Sequence, residues 1–107
     1  MVAAVVGRSA VTASCAHLDQ ADVDVRPSDP DGCHECLQTG DRWVHLRLCA
    51  GCGHVGCCDS SPNRHASAHH AETGHPLIRS FERREDWWFC YPDDLMFGVE
   101  GVGPARP

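Results

Sequence analysis

Cysteine and histidine are the residues of this chain whose types and spacing could do chemistry. The 107 residues include eight Cys and eight His. Two C-x2-C pairs, Cys33/Cys36 and Cys49/Cys52, are followed by Cys57. Two residues between cysteines allow a tight turn to direct both sulfurs at one ion, and Zn²⁺ takes four such sulfur or nitrogen ligands in a tetrahedron. The pairs therefore predict structural zinc.

Histidines on and after a predicted helix complete two such sites. His65 and His69 are four residues apart, so they share one face of the helix. His75 follows the turn at Gly74 and can return to the same region. With the five cysteines, these histidines supply the ligands of two closed tetrahedral sites. The predicted ligands are Cys33, Cys36, Cys49, Cys52, Cys57, His65, His69 and His75.

A third set of donors lies near the two ends of the chain. Cys15 and His17 precede the pairs, and Cys90 and Asp93 follow the helix. An ion held by these residues would join the ends of the domain, where closing a long loop gains most. A carboxylate oxygen is an acceptable zinc ligand, so we favour three zinc ions over two. The remaining histidines are predicted not to be ligands: His34, His45, His54 and His70.

The even number of cysteines also fits four disulfides. A disulfide framework needs an oxidising compartment and normally a secretion signal. The first residues lack a basic n-region, and their apolar run is interrupted by Gly7 and Arg8. Disulfides would also leave the eight histidines unexplained. We therefore favour metal over disulfides and expect a cytoplasmic location.

The charge of the chain argues against a nucleic-acid partner. The formal net charge is −6 and every one of the nine basic residues is Arg. The densest basic cluster, Arg79, Arg83 and Arg84, is interleaved with acidic residues, whereas a nucleic-acid binder shows a basic patch. No stretch is long enough to cross a membrane. We expect a monomer, and the absence of Lys with abundant Arg, Ala, Val and Asp suggests a bacterial source.

Strand and helix signals place these residues in one small α+β domain. Alternating or aromatic-rich runs predict strands. A helix capped by Ser60 or Ser61, with Pro62 in its first turn, is predicted to end at Gly74. We place the domain at residues 15–97, between a disordered N-terminus, 1–14, and a flexible tail, 98–107. The predicted strands are Trp43–Cys49, His54–Cys57, Leu77–Glu82 and Trp87–Tyr91.

The order of these motifs resembles the UBP-type zinc finger, the ubiquitin-binding finger found beside deubiquitinases and in one histone deacetylase. The matching order is C-x-H, C-x2-C, C-x2-C-x4-C, H-x3-H-x5-H-P-L and then aromatic-Cys-Tyr. The resemblance covers about Cys15 to Phe97, and its most specific part is the string from His69 to Leu77. It suggests a stand-alone bacterial member of this family. It implies a small twisted antiparallel sheet with one or two flanking helices.

The resemblance also implies how the ligands are grouped. Only one of two neighbouring cysteines readily faces a given site, and the resemblance favours Cys57 over Cys58. The implied groups are Cys33, Cys36, Cys57 and His65; Cys49, Cys52, His69 and His75; and Cys15, His17 and the segment of Cys90, in which Asp93 stands where the family has a second C-x2-C.

A second departure concerns the pocket that in this family holds the C-terminal carboxylate of ubiquitin. Family members that bind ubiquitin have Gly and Arg after the cysteine equivalent to Cys57, whereas this chain has Cys58 and Asp59. An Asp would repel a carboxylate, so Arg64 is the expected substitute, and ubiquitin is not expected to be the native partner. The predicted peptide-binding residues are Trp43, Arg64, Trp88, Phe89 and Tyr91.

Three function classes follow from these residues. The leading hypothesis is a non-catalytic module with structural zinc that captures a protein or peptide C-terminal tail. The alternative is a redox-responsive or zinc-reservoir protein, in which the C-x2-C pairs and Cys58 oxidise and release metal. A zinc hydrolase ranks lowest, because a catalytic zinc keeps an open position and the chain has no H-E-x-x-H motif.

Overall fold

The computed structural model describes residues 15–106, which form a five-stranded antiparallel sheet with two α-helices. The α+β class is confirmed. The segment 1–14, predicted to be disordered, lies outside the described residues, and the domain boundaries stay a prediction. In chain order the elements are a short 3-10 helix Leu18–Gln20, α1 His34–Thr39, β1 Leu46–Cys49, β2 Val55–Cys57, α2 His65–Thr73, β3 Leu77–Ser80, β4 Trp87–Cys90 and β5 Leu95–Gly98.

The strands lie in the order β2-β1-β3-β4-β5, and every neighbouring pair is antiparallel. Successive side chains on a strand point to opposite faces, so the register defines two surfaces. We call the first the α2 face; it carries Ile78, Phe89 and Met96, which are paired across β3, β4 and β5. We call the second the α1 face; it carries Leu48, Arg79, Trp88 and Phe97 in the same manner.

Each face has its own helix. On the α1 face, Leu46 and Leu48 belong to one buried cluster with Cys33 and Cys36 of the α1 segment. On the α2 face, the helix lies so close to β2 that a Cβ at Gly56 would come within 2.6 Å of the Ala66 backbone nitrogen. Glycine is therefore required where α2 crosses β2. Among the described residues, no helix is long and apolar enough to span a membrane.

The structure contains three elements that the sequence pattern did not predict, namely the 3-10 helix, α1 and β5. The segment that begins at Cys33 forms the six-residue helix α1 rather than only a tight turn, and a six-residue helix is too short to show an amphipathic period. β5 follows directly after a turn at Asp94, which has a φ of 49°. The first predicted strand begins at Leu46 rather than Trp43, because the backbone N–H of Val44 donates to Ser61 Oγ instead of to a strand.

The start of α2 differs from the prediction, and its end agrees. Ser61 is buried, and its hydroxyl accepts the hydrogen bond from Val44 rather than capping the helix. The N-cap is Arg64, which has a left-handed φ of 48°, and the backbone N–H of His65 donates to Cys57 Sγ at 3.2 Å. At the other end, Gly74 has a φ of 76°, and its N–H donates to the carbonyl of His70.

Residues 99–106 run back against the sheet, which differs from the expectation of a frayed tail. Val102 packs against the buried cluster that contains Trp88, and Ala105 packs against the cluster that contains Leu48. The guanidinium of Arg79 donates to the carbonyl of Gly103. Isolated valines and an alanine among Gly and Pro give no periodic signal, so the sequence could not indicate these contacts.

The close approach of the Arg26 backbone to Gly53 can be tested by substitution. Its φ is 88°, and a Cβ there would overlap the backbone oxygen of Arg26. Gly40 has a similar φ of 78°, but a Cβ there would meet no atom within 4 Å. We expect Gly40→Ala to lower the free energy of unfolding by about 1–2 kcal/mol, which is the left-handed strain alone. Gly53→Ala should lose roughly a further 1–3 kcal/mol through the overlap.

Urea denaturation of both variants at the same excess of zinc measures this difference. Equal losses of stability in the two variants would contradict the close approach of Arg26 to Gly53.

Candidate metal centre

The first donor group lies where α1, β2 and α2 meet. Cys33 and Cys36 come from the first turn of α1, Cys57 ends β2, and His65 begins α2. The three cysteines are fully buried. Their sulfurs lie 3.2, 3.4 and 3.5 Å from His65 Nδ1. Three segments that are separate in the chain thus converge on one point.

The second group joins the β1–β2 turn to α2. Cys49 ends β1 and Cys52 lies in the turn, while His69 lies on α2 and His75 follows the glycine turn at its end. Cys49 Sγ lies 3.5 Å from His75 Nδ1, and Cys52 Sγ lies 3.3 Å from His69 Nε2. The left-handed residue Gly74 reverses the chain and so brings His75 back to the site.

The third group joins the two ends of the described chain. Cys15 and His17 precede the 3-10 helix, Cys90 ends β4, and Asp93 lies in the turn before β5. Cys90 Sγ lies 3.4 Å from His17 Nδ1, and Asp93 Oδ2 lies 3.3 Å from the same nitrogen. The backbone N–H of Ala16 also donates to Asp93 Oδ2. Unlike the cysteines of this group, Asp93 is exposed.

These are the three groups that the resemblance implied, and their geometry fits zinc. Within each group the four donor atoms lie within 4.8 Å of one another. Zn–S bonds of about 2.3 Å and Zn–N bonds of about 2.0–2.1 Å place the corners of a tetrahedron about 3.5 Å apart. The sulfur–nitrogen distances in all three groups agree with this edge length. Sulfur and imidazole donors are also the ligands that Zn²⁺ prefers.

The pKa values of the buried thiols also favour metal binding at these groups. Burial, together with the neighbouring thiols, raises the pKa of Cys33 to about 12. Burial likewise raises the pKa of Cys90 to about 12 and that of Cys49 above its ordinary value. Thiolates in these positions need a compensating positive charge, which a coordinated cation supplies. All eight cysteines lie in the described residues and none forms a disulfide.

A histidine–carboxylate pair links the first two groups. His54 Nε2 lies 2.9 Å from both carboxylate oxygens of Glu35, and the His54 ring stacks on His69 at 4.1 Å. Burial alone would raise the pKa of Glu35, but the hydrogen bonds from His54 and the backbone, together with the charges of His54 and His65, lower it below its ordinary value. Glu35 lies in α1 between two donors of the first group, so the pair orients ligands of both groups. Sequence spacing gave no signal for this contact.

The four histidines predicted not to be ligands lie outside the three groups. His70 instead has a structural contact, because its Nδ1 donates to the carbonyl of His75 at 2.7 Å. Its ring also stacks on Tyr91 at 4.2 Å. His70 therefore contacts both the backbone beside the second group and the aromatic ring of Tyr91.

A pocket of about 240 Å³ lies on the α2 face, between the sheet and the start of α2. Of the predicted peptide-binding residues, Phe89 and Tyr91 line it, and Trp43, Arg64 and Trp88 do not. Trp88 is fully buried on the α1 face. The pocket is lined by Arg47, Cys58, Asp59, Ser60, Ala66, Ile78, Trp87, Phe89, Tyr91 and Met96.

The reasons for the three misplaced residues are physical. Side chains alternate along a strand, so Phe89 shares its face with Trp87 and not with Trp88; this signal was present in the sequence. Trp43 lies before β1, where its ring covers Gly32. Arg64 is the N-cap of α2 and is exposed.

The pocket contains a cation that sequence reasoning missed. The guanidinium of Arg47 lies 4.6 Å from the centroid of the Trp87 ring, and its Nη1 donates to the carbonyl of Leu46. Across the pocket, Asp59 accepts a hydrogen bond of 2.6 Å from Ser67 Oγ, which in turn lies 3.3 Å from the Tyr91 hydroxyl. The pocket therefore has aromatic walls, one cation and one anion.

The chain is similar to a known family, to a solved structure and to part of a larger protein. Residues 33–98 match the family described as the zinc finger in ubiquitin hydrolases and other proteins. A protein from Rhodopseudomonas palustris, solved by solution NMR, is 45% identical, with a TM-score of 0.79 over 89% of this chain and 91% of that chain. The NAD-dependent deacetylase sir2A of Dictyostelium discoideum is 34% identical over 75% of this chain. The match spans only 16% of that deacetylase.

The third group gives the first test of metal content. We expect native mass spectrometry of protein purified without chelator to show three zinc ions, and Asp93→Ala to show two. Asp93 is the exposed oxygen donor of this group, and removing one of four ligands leaves an open, weaker site. Asp94→Asn removes the neighbouring exposed carboxylate and keeps a residue that tolerates its left-handed φ of 49°, so it is the control and should keep three ions. Two ions in the unchanged protein would mean that the third group does not hold zinc.

The adjacent cysteines give a second test. Cys57 Sγ lies 3.5 Å from His65 Nδ1. Cys58 instead lines the aromatic pocket, and its Sγ lies 3.5 Å from Ser61 Oγ. We expect Cys57→Ser to lose at least one zinc ion and Cys58→Ser to keep all of them. Zinc released by a mercurial and measured with a colorimetric chelator gives the count. Loss of zinc from Cys58→Ser alone would reverse the assignment.

Proposed function

Because this chain belongs to the family of zinc fingers found in ubiquitin hydrolases and other proteins, we propose that it is a non-catalytic binding module. Zinc is its structural cofactor, and the pocket on the α2 face captures the C-terminal tail of a protein. The observation that supports this most directly is the position of Arg47 against the aromatic wall of that pocket.

Zinc in this proposal holds the fold and takes no part in a reaction. Each donor group supplies four ligands, which is the full set for a closed tetrahedral site. A bound ion would neutralise the buried thiolates and fix the segments that carry them. The residues of the chain then do the binding, and no residue is assigned a catalytic role.

The pocket suits the end of an extended chain. Trp87, Phe89 and Tyr91 give flat apolar walls, and Phe89 meets Tyr91 edge to face with ring centroids 5.3 Å apart. Such walls accept glycine-like or small side chains without a large entropy cost. The guanidinium of Arg47 can donate two parallel hydrogen bonds to a terminal carboxylate. We thus propose that Arg47 binds the terminal carboxylate, which the resemblance assigned to an arginine after Cys57.

Asp59 restricts which tails can bind. Its carboxylate is held by Ser67 on the side of the pocket near Tyr91. An acidic residue close to the end of the tail would be repelled by Asp59, and a basic one would be attracted. We therefore propose a native tail that is neutral or basic before its terminal carboxylate, which need not belong to ubiquitin.

The proposal also covers the source, location and partner class of the module. We propose a bacterial, cytoplasmic monomer whose partner is a protein or peptide and not a nucleic acid, because the net charge of −6 disfavours phosphate backbones. The deacetylase activity named for the Dictyostelium relative is not proposed for this chain. The match spans 16% of that protein.

Paired peptides test the pocket. We expect zinc-loaded protein to bind at least one sequence in a set of hexapeptides ending in Gly-Gly, Gly-Arg or Gly-Glu, as the free acid and not as the amide. Arg47→Gln should weaken binding roughly 10- to 100-fold, because a charge-assisted hydrogen bond is worth about 1.5–3 kcal/mol. Arg83→Gln is the control, since Arg83 is exposed and does not line the pocket.

Fluorescence anisotropy measures the affinities, and the zinc content of each variant shows that its fold is retained. Equal binding of acids and amides, or an Arg47→Gln variant that binds as tightly as Arg83→Gln, would refute carboxylate capture in this pocket.

A further inference from the structure

Arg79 is a buried cation on the α1 face, which the proposed function does not use. Its side chain lies on β3, only 3% of its surface is exposed, and its guanidinium lies 4.8 Å from the centroid of Trp88. Nη2 donates to the carbonyl of Gly103. Nε is buried and has no hydrogen-bond partner among the described residues.

No described carboxylate forms an ion pair with this guanidinium. Burial lowers the pKa of Arg79, and the charge of Asp86 opposes that shift only from a distance. An unpaired buried charge and a buried donor without an acceptor both cost free energy. Native proteins rarely leave such groups unsatisfied, and a missing ion or ligand is a common reason when they do.

A cavity lies directly against this cation. It measures about 380 Å³ and is bounded by residues 23–25 on one side and 101–105 on the other, with Leu48 and Arg79 of the sheet forming its floor. This volume is in the range of small-molecule sites, which span roughly 300–1,000 Å³. Leu48 and Arg79 lie on the α1 face, so the sheet separates this cavity from the aromatic pocket.

We propose that this cavity binds a small monocarboxylate whose charged end meets the guanidinium of Arg79. A guanidinium matches a carboxylate in charge and in planar geometry. Val25, Leu48 and Val102 line the same cavity and suit a short apolar chain behind the carboxylate. Asp24 lines it too and is exposed. Its negative charge disfavours dianions such as dicarboxylates and phosphate.

The hydrogen bond to Gly103 fixes the orientation of the cation. Nη2 is held by the chain, whereas Nε is buried without a partner, so Nε is the donor that a bound carboxylate is proposed to satisfy. Nε is buried, and residues 101–105 line the cavity beside Arg79, so we expect this segment to shift when a ligand binds. Gly101 and Gly103 give this segment the backbone freedom to do so. Binding should therefore be felt both at Arg79 and along this segment.

NMR of the zinc-loaded full chain tests the site. We expect sodium butyrate, added at constant ionic strength against sodium chloride, to shift the Arg79 Nε–Hε resonance and the amides of residues 101–105 in a saturable way. Butyramide, the neutral analogue, should produce no saturable shift, and succinate and phosphate should bind more weakly. A butyramide response equal to that of butyrate, or a butyrate response that does not saturate, would overturn the proposal.

Variants that keep the fold make the test independent of Arg79 itself. Asp24→Asn removes the negative charge at the cavity and should tighten butyrate binding roughly two- to five-fold, which corresponds to a surface charge term of about 0.4–1 kcal/mol. Asp19→Asn is the matched control, because Asp19 is exposed and does not line the cavity. Equal affinities in these two variants would contradict a site at this cavity.

Arg79→Gln should abolish the saturable shift of residues 101–105 where its zinc content shows that it has folded. Arg47→Gln should leave butyrate binding unchanged, which separates this site from tail capture on the other face. Butyrate binding that depends on Arg47 and not on Asp24 would place the carboxylate in the aromatic pocket and overturn the proposal.

Discussion

The convergence of four donor atoms on one point, repeated three times, is the constraint on which the rest of the structure depends. α1 has six residues and α2 has nine, and isolated helices of such length are marginal in water. A chain of 107 residues also buries a limited apolar core. Six cysteines of the donor groups belong to the buried core, so the core and the metal ligands share part of their residues.

The aromatic pocket lies next to the donor groups. Tyr91 follows the donor Cys90 directly, and its ring stacks on His70, which follows the donor His69. Tyr91 thus stands between the second and third donor groups. Burial raises the pKa of its phenol, so the hydroxyl stays neutral beside Ser67. The proposed binding surface is thus built on residues whose neighbours belong to the donor groups, and loss of metal from these groups is expected to disturb both together.

The sheet separates two chemistries because side chains alternate along its strands. Consecutive residues of β1, Arg47 and Leu48, line different cavities, and so do Ile78 and Arg79 of β3. Two cations therefore lie on opposite faces in unlike surroundings. Arg47 is partly exposed beside Trp87, whereas Arg79 is enclosed between Trp88 and the segment 101–105. The proposed ligands differ accordingly, with a peptide tail at Arg47 and a small ion at Arg79.

The sequence by itself determined the local features of this protein. Spacing of cysteines and histidines indicated the donors. Alternating or aromatic-rich runs and a short segment before Cys57 indicated four of the five strands, and Gly74 ends α2 where a left-handed φ is needed. The predictions of these features agree with the structure because each feature depends on residues that are close together in the sequence. The family resemblance then sorted the donors into the groups that the structure brings together.

Only the tertiary structure decided the features that depend on distant segments. Ser61 was an expected helix cap, but its hydroxyl accepts a hydrogen bond from the backbone N–H of Val44. The backbone N–H of His65 donates to Cys57 Sγ instead. The pocket cation is Arg47 rather than Arg64, because β1 and β4 carry Arg47 and Trp87 to the same face of the sheet. A side chain's partner across the fold leaves no periodic trace in the sequence, since it is chosen by packing and not by the residues beside it.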